Sequence, residues 1–321
     1  MKILVIVNGE LNQPMEGGAK WTRQLIEKWV TDDEVLLINR GFSPPDLDKA
    51  KTTFINFHPQ YPSYLKFIIA CSRSIRKNKN KIDRLIYFPL TILKWWQFFV
   101  LLVFSFLSGI KIEVVVYQAA SISPIFRLFR LNVQYLVATR WSAAQFRKIN
   151  LETKVLEPFV PDDSQIRVQK RFDKTDIFYL GKLSSTRGAE VLYSVADGFR
   201  QGDFMVVSPS PGTAYQDDKS SQLKNITVLR HYLSSSELDK IYARSDYYIF
   251  LPNSLLAFID LPLSVLRARK YKMTIIASDF PQLRELLSDY DKVDFIPVGK
   301  TSIMAKRVIN ILAHNEKSRN S

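Results

Sequence analysis

Short apolar runs alternate with amphipathic stretches from the first residues onward. Lys2-Ile3-Leu4-Val5-Ile6-Val7 is an almost unbroken apolar run that ends at Asn8 and Gly9, the pattern of a strand buried on both faces. Similar runs at 34–38, 53–57, 84–88, 112–117 and 133–138 predict five more strands, and the stretches between them predict helices at 18–30, 63–76, 90–108 and 141–148. Such alternation points to a parallel sheet with helices on both faces. It stops at Glu157-Pro158-Phe159-Val160-Pro161-Asp162-Asp163, whose prolines suit a linker. A second series then predicts strands at 177–180, 204–207, 226–229, 247–251, 274–277 and 294–297, with helices at 188–199, 262–271, 280–288 and 301–313. Ser234-Ser235-Ser236-Glu237 reads as a capping box opening a further helix to Arg244. Residues 209–224, rich in Ser, Pro, Gly and Asp, read as a long exposed loop, and 316–321 as a frayed tail. The expectation is two α/β domains, 1–160 and 161–321.

Composition supports that division. A chain of 321 residues exceeds one ordinary core, and 46% hydrophobic against 24% charged residues excludes a disordered chain. The single cysteine, Cys71, excludes an intramolecular disulfide framework and Cys-based zinc sites, and fits a reducing compartment. The opening apolar run is too short for a secretory signal, so a cytoplasmic protein is expected.

Net charge narrows the choice of partner. Of the +14 total, residues 1–160 contribute most, with 22 Lys and Arg against 12 Asp and Glu, which asks for an anionic partner. The stretch 85–107 is almost wholly apolar, but Pro89, Lys94 and Gln97 divide it, so it is too short to span a bilayer. Lys94, Gln97, Ser105 and Ser108 recur at near-helical spacing, which predicts one narrow polar stripe and a wide apolar face. Before it lies Arg73-Ser74-Ile75-Arg76-Lys77-Asn78-Lys79-Asn80-Lys81. Basic residues beside an apolar, aromatic helix suggest attachment to an anionic membrane surface, on the inner face of the cell membrane. The alternative is a buried core helix beside an ordinary basic loop. Nucleic acid is disfavoured, because the aromatics concentrate in the helix and are not interleaved with the charge.

Chemistry concentrates in Phe178-Tyr179-Leu180-Gly181-Lys182-Leu183-Ser184-Ser185-Thr186-Arg187-Gly188, a strand leading through a loop into a helix. Gly181 allows a ligand close to the backbone, free N–H groups at the helix start favour phosphate, and Lys182 and Arg187 add two cations. By themselves these features also fit a plain strand-loop-helix junction carrying surface charge. There is no Gly-x4-Gly-Lys-Ser/Thr loop, Gly-x-Gly-x-x-Gly, Gly-x-Ser-x-Gly or His-Glu-x-x-His motif.

The segment resembles the glycine, Arg/Lys, apolar, Lys/Arg-Gly loop of family 4 glycosyltransferases. Residues 228–254, and Leu261-Pro262-Leu263-Ser264-Val265-Leu266-Arg267-Ala268 running on to Ser278, are similar to that family's donor domain. Glu16-Gly17-Gly18-Ala19 resembles its N-terminal glycine loop, and Val137-Ala138-Thr139-Arg140-Trp141-Ser142 its last N-domain strand. The resemblance implies a GT-B fold, two Rossmann-like domains with parallel sheets facing a deep cleft. It implies retaining transfer of a sugar from a nucleotide diphosphate to a glycan or lipid-linked acceptor, with no cofactor and no metal. Lys182 and Arg187 would neutralise the diphosphate, with Gly181, Gly188, Pro262, Leu263 and Ser264 around the donor. His231 would lie near the base or ribose, and Gly17 and Gly18 on the acceptor side.

The chain departs from the family at the motif's two glutamates, eight positions apart, where it has Ile259 and Arg267. Neither accepts a hydrogen bond from a sugar hydroxyl. Asp260 is the nearest carboxylate and the candidate replacement for the first glutamate. The alternative expectation is a non-catalytic GT-B protein serving as partner subunit or scaffold.

Overall fold

Each short apolar run expected as a strand becomes a parallel strand, because a strand covered on both faces buries successive side chains. The computed structural model describes residues 2–8, 17–40, 52–56, 63–89, 97–119, 132–156, 175–208 and 223–320. The linker at 157–163 and residues 209–222 of the expected loop lie outside them. The chain divides into two compact units, Met1–Phe159 with Ile259–Leu261, and Val160–Phe258 with Pro262–Ser321.

The first unit runs β1 (Lys2–Val7), α1 (Gly17–Asp32), β2 (Glu34–Asn39), β3 (Thr52–Asn56), α2 (Ser63–Asn78), β4 (Arg84–Phe88), α3 (Gln97–Ser108), β5 (Ile112–Val116), β6 (Val133–Val137), α4 (Arg140–Arg147) and β7 (Thr153–Val155). Its sheet has the order β3-β2-β1-β4-β5-β6-β7. All pairings are parallel, and Leu4 of β1 stands between Leu36 and Leu85. Leu4, Ile6, Tyr87 and Val114 form one buried cluster with Phe67, Cys71 and Ile75 of α2 and Val100, Leu101 and Phe104 of α3. Burial pushes the Cys71 thiol well above its usual range, so it stays protonated and inert.

The second unit runs β8 (Thr175–Leu180), a 3-10 turn (Ser185–Arg187), α5 (Ala189–Gly198), β9 (Gly202–Val207), β10 (Ile226–Leu229), α6 (Ser235–Arg244), β11 (Tyr247–Phe250), α7 (Leu263–Lys270), β12 (Thr274–Ser278), α8 (Pro281–Leu286), β13 (Val293–Ile296) and α9 (Thr301–Asn320). Its sheet order, β10-β9-β8-β11-β12-β13, repeats that of the first six strands of the other sheet. The order reverses between β1 and β4 in one unit and between β8 and β11 in the other. Loops at the carboxyl ends of such strands form the ligand crevice of doubly wound sheets.

Three details differ from the sequence reading. The tail expected to fray continues as helix to Asn320. β7 has only three residues and no apolar run to announce it. The polar stripe of α3 points the opposite way to that of a solvent-facing helix: Gln97 and Ser108 are buried, whereas Phe99, Leu102, Val103 and Phe106 are exposed. Ser108 accepts from the Ile110 N–H, which accounts for one polar group on the inner side. Residues 90–96 of the helix expected at 90–108, Lys94 included, lie outside the described residues. Among those described, no helix is long and apolar enough to cross a membrane.

Candidate functional site

The loop after β8 is built around two glycines. Gly181 has φ +152 and Gly188 φ +81, where a side chain strains the backbone. A Cβ on Gly188 would stand 2.0 Å from the carbonyl oxygen of Leu251, at the end of β11. Gly188 therefore lets the loops of two neighbouring strands touch. Asn253 fastens them, its backbone N–H donating to Thr186 O at 2.9 Å and its side-chain amide to Ser185 O at 3.0 Å. From beneath, the Tyr179 hydroxyl donates to Lys182 O at 3.0 Å, and the Leu183 N–H donates to the buried Ser208 hydroxyl at 3.1 Å.

On this fixed backbone Lys182 is exposed and Arg187 half-buried. Neither is paired with an acid among the described residues. The Arg187 guanidinium lies over Gly181, with one Nη 3.7 Å from where a Cβ would stand. Burial pushes the Tyr179 phenol up to about 12, and the Arg187 charge pulls it the other way. The site is thus positive over a neutral phenol.

Part of the donor set expected at the start of α5 is taken up locally. A 3-10 turn intervenes, and the N–H groups of Arg187, Gly188 and Ala189 donate to Ser184 and Ser185 carbonyls. Local turn closure takes up these three donors, while no side chain caps α5 at Gly188. α7 is different: no side chain caps its N-terminus at Pro262, and its first closing bonds run from Val265 and Leu266 to Pro262 O. Leu263 and Ser264, both half-buried, form its first turn, and Tyr242 fixes that turn by donating to Ser264 O at 3.2 Å. This end carries the positive pole of the helix dipole.

His231 is exposed, in the loop between β10 and α6. Nearby, hydrogen bonds from the Ser234 hydroxyl and backbone N–H hold the Glu237 carboxyl below its usual range. In the first unit, Gly17 and Gly18 are the opening residues of α1 and not part of a loop before it.

Two positions singled out by the missing glutamates have structural work. Arg267 donates from Nε to Asp239 at 3.0 Å and from Nη2 to Ser235 O at 3.2 Å, and its guanidinium lies 5.5 Å from the Tyr242 ring centre. Tyr271 also donates to Asp239, at 2.6 Å. Periodicity alone could not reveal this cluster, because its partners are on different helices. Asp260 is fully buried and belongs with the first unit. Its carboxylate accepts from the Ala119 N–H at 2.8 Å and the Ser142 hydroxyl at 2.7 Å, while its own N–H donates to Tyr117 O at 2.8 Å. Ser142 lies in the first turn of α4, whose N-cap is Thr139. These bonds make Asp260 a clasp that holds residues 259–261 on the first unit. Among the described residues no group of His, Cys, Asp and Glu is arranged to hold a metal.

Two α/β units with this shared strand order have the GT-B fold of glycosyltransferases. No protein-family model matches the sequence, and no curated protein matches it. Solved structures do. Sucrose-phosphate synthase from Thermosynechococcus elongatus superposes with a TM-score of 0.71 at 13% identity, covering 98% of this chain and 90% of that one. WaaG, a glycosyltransferase involved in lipopolysaccharide biosynthesis, gives 0.69 at 11% identity over 97% and 90%. HepE from Anabaena, determined in complex with UDP and glucose, gives 0.67 at 12% identity over 99% and 92%. At these identities the likeness is one of fold.

Proposed function

We propose that the chain is a retaining, metal-independent glycosyltransferase that moves a sugar from a nucleotide diphosphate to a glycan or membrane-presented acceptor, working peripherally on the inner face of the cell membrane. The observation that carries this reading is a pair of cations, Lys182 and Arg187, paired with no acid among the described residues, on a rigid loop at the carboxyl end of β8. As the bond from the sugar's anomeric carbon to the diphosphate breaks, negative charge grows on the leaving phosphate. Preorganised cations stabilise that charge without reorganising at the moment of reaction. A new bond forms from the acceptor oxygen on the same face of the sugar, and the acceptor's proton leaves with the diphosphate. The N-terminus of α7, with Leu263 and Ser264, supports the same anion in this scheme, and His231 is its candidate contact to base or ribose. Gly17 and Gly18 belong to the acceptor side. Asp260 has a positioning role in this scheme.

Lys182→Ala and Arg187→Ala each remove a charge-assisted hydrogen bond of about 1.5–3 kcal/mol, roughly 10- to 150-fold in affinity for a nucleoside diphosphate. Melting temperatures should barely move, since neither side chain packs in the core. Calorimetry with UDP and other nucleoside diphosphates, beside hydrolysis of a nucleotide-sugar panel, tests this. Unchanged affinity in the double variant removes the phosphate role. Nucleotide binding without hydrolysis or transfer favours the second reading, a non-catalytic partner subunit, which the engaged Arg267 at the second glutamate position supports.

A further inference from the structure

The outer layer of the first unit carries a surface that sugar transfer does not use. α2 and α3 pack side by side against the sheet through one buried cluster, so their outer faces look the same way. On α3 the outer face is Phe99, Leu102, Val103 and Phe106, at positions i, i+3, i+4 and i+7, and Phe106 is 87% exposed. On α2, Leu65 and Ile69 are exposed one turn apart. The same stripe of α2 then turns basic at Arg73, Arg76 and Lys77, all exposed, and continues into exposed Lys79 and Lys81. Lys79 reaches the end of α3, where its Cε is 3.4 Å from the place of a Cβ on Gly109. Residues 63–82 contain no acid.

We infer that this α2–α3 face docks on an anionic lipid bilayer. Aromatic and aliphatic side chains of α3 enter the boundary between headgroups and acyl chains, while the cations at the ends of both helices meet lipid phosphates. Burial of Gln97 and Ser108 on the inner side of α3 leaves Phe99, Leu102, Val103 and Phe106 as its exposed side chains, with Ser105 half-buried beside them, which suits lipid and not water. A second copy of the chain fits less well, because a two-fold contact through this face would bring the same basic stripe against itself. A nucleic acid would satisfy the cations but leave Leu102 and Val103 in water. The inference deepens the reading of a membrane-presented acceptor, yet it is measured without donor or acceptor and so fails separately from it.

Sedimentation of the full chain with vesicles of phosphatidylcholine, alone or mixed with phosphatidylglycerol, provides the test. The protein should pellet with the anionic vesicles and be released by high salt. Each cation removed should lower partitioning about fivefold, so Arg73→Ala, Arg76→Ala and Lys77→Ala together lower it about 100-fold. Phe99→Ser with Phe106→Ser, and Phe106→Ser alone, should weaken pelleting with the anionic vesicles at low salt, with wild-type circular dichroism and melting. Equal pelleting with neutral vesicles, or an unaffected triple variant, overturns the proposal. So does a dimer in sedimentation velocity that Phe106→Ser dissociates, with no vesicle binding, since the face would then be covered by a second copy.

Discussion

Gly181 and Gly188 flank one loop but are glycine for different reasons. At Gly188 a methyl group would meet a backbone carbonyl, which cannot swing aside, and φ +81 adds strain of about 1–2 kcal/mol. Gly188→Ala should therefore cost at least about 2 kcal/mol in urea denaturation. A fall of a few tenths would show that the loops can part freely. At Gly181 the nearest atoms to an added Cβ are 3.5 Å and farther, so Gly181→Ala should cost only about 1 kcal/mol and fold. Its larger effect should be on nucleoside diphosphate affinity, because the methyl group sits under the Arg187 guanidinium. Calorimetry and melting of the two variants separate these roles. Gly181 was legible in the sequence as a loop residue and Gly188 as the residue where the loop passes into a helix. The reason for Gly188 was not, since Leu251 is far away along the chain.

Among the elements, α7 depends on α6 more than on its own residues. Its mid-helix Arg267 is held by Asp239 of α6, and Tyr242 of α6 bonds its first turn. The Arg267 and Asp239 side chains are only 11% and 9% exposed, so breaking the pair by Arg267→Glu, which puts two carboxylates together, should cost about 3 kcal/mol or more. Chemical denaturation checks this. A stable Arg267→Glu variant would mean that the pair contributes little to holding α7. The capping box of α6 was readable from Ser234 and Glu237 because all its partners are local, and both of its bonds are present. α3 shows the opposite case. Periodicity tells which residues share a helix face, but when both faces are apolar it does not tell which one the sheet covers, so the inward turn of Gln97 and Ser108 was out of reach.

Over the whole molecule, buried phenols set the behaviour in alkali. Burial pushes Tyr179 up to about 12, and Tyr117, Tyr135, Tyr242 and Tyr248 are also pushed up by burial. Below pH 10 these phenols are protonated in both folded and unfolded chains, and their contribution is fully present. As pH rises from 10 through the folded values, the unfolded chain releases protons that the folded chain retains, so stability falls. Each tyrosine contributes up to about 1.4 kcal/mol per pH unit. Urea midpoints should drop steeply above pH 10 in both units, and flat midpoints there would contradict the buried phenols. The two series of parallel strands were legible from the alternation of apolar runs, whereas their order in the sheets and the excursion of Ile259–Leu261 into the first unit were not. That excursion bears on how the protein is made. The Ser142 hydroxyl receives its partner from a residue 118 positions later, and chains grow at about 5–20 residues per second. On the ribosome, the N-terminal unit therefore waits on the order of ten seconds, the start of α4 capped by Thr139 alone, before translation delivers the aspartate that Ser142 also bonds.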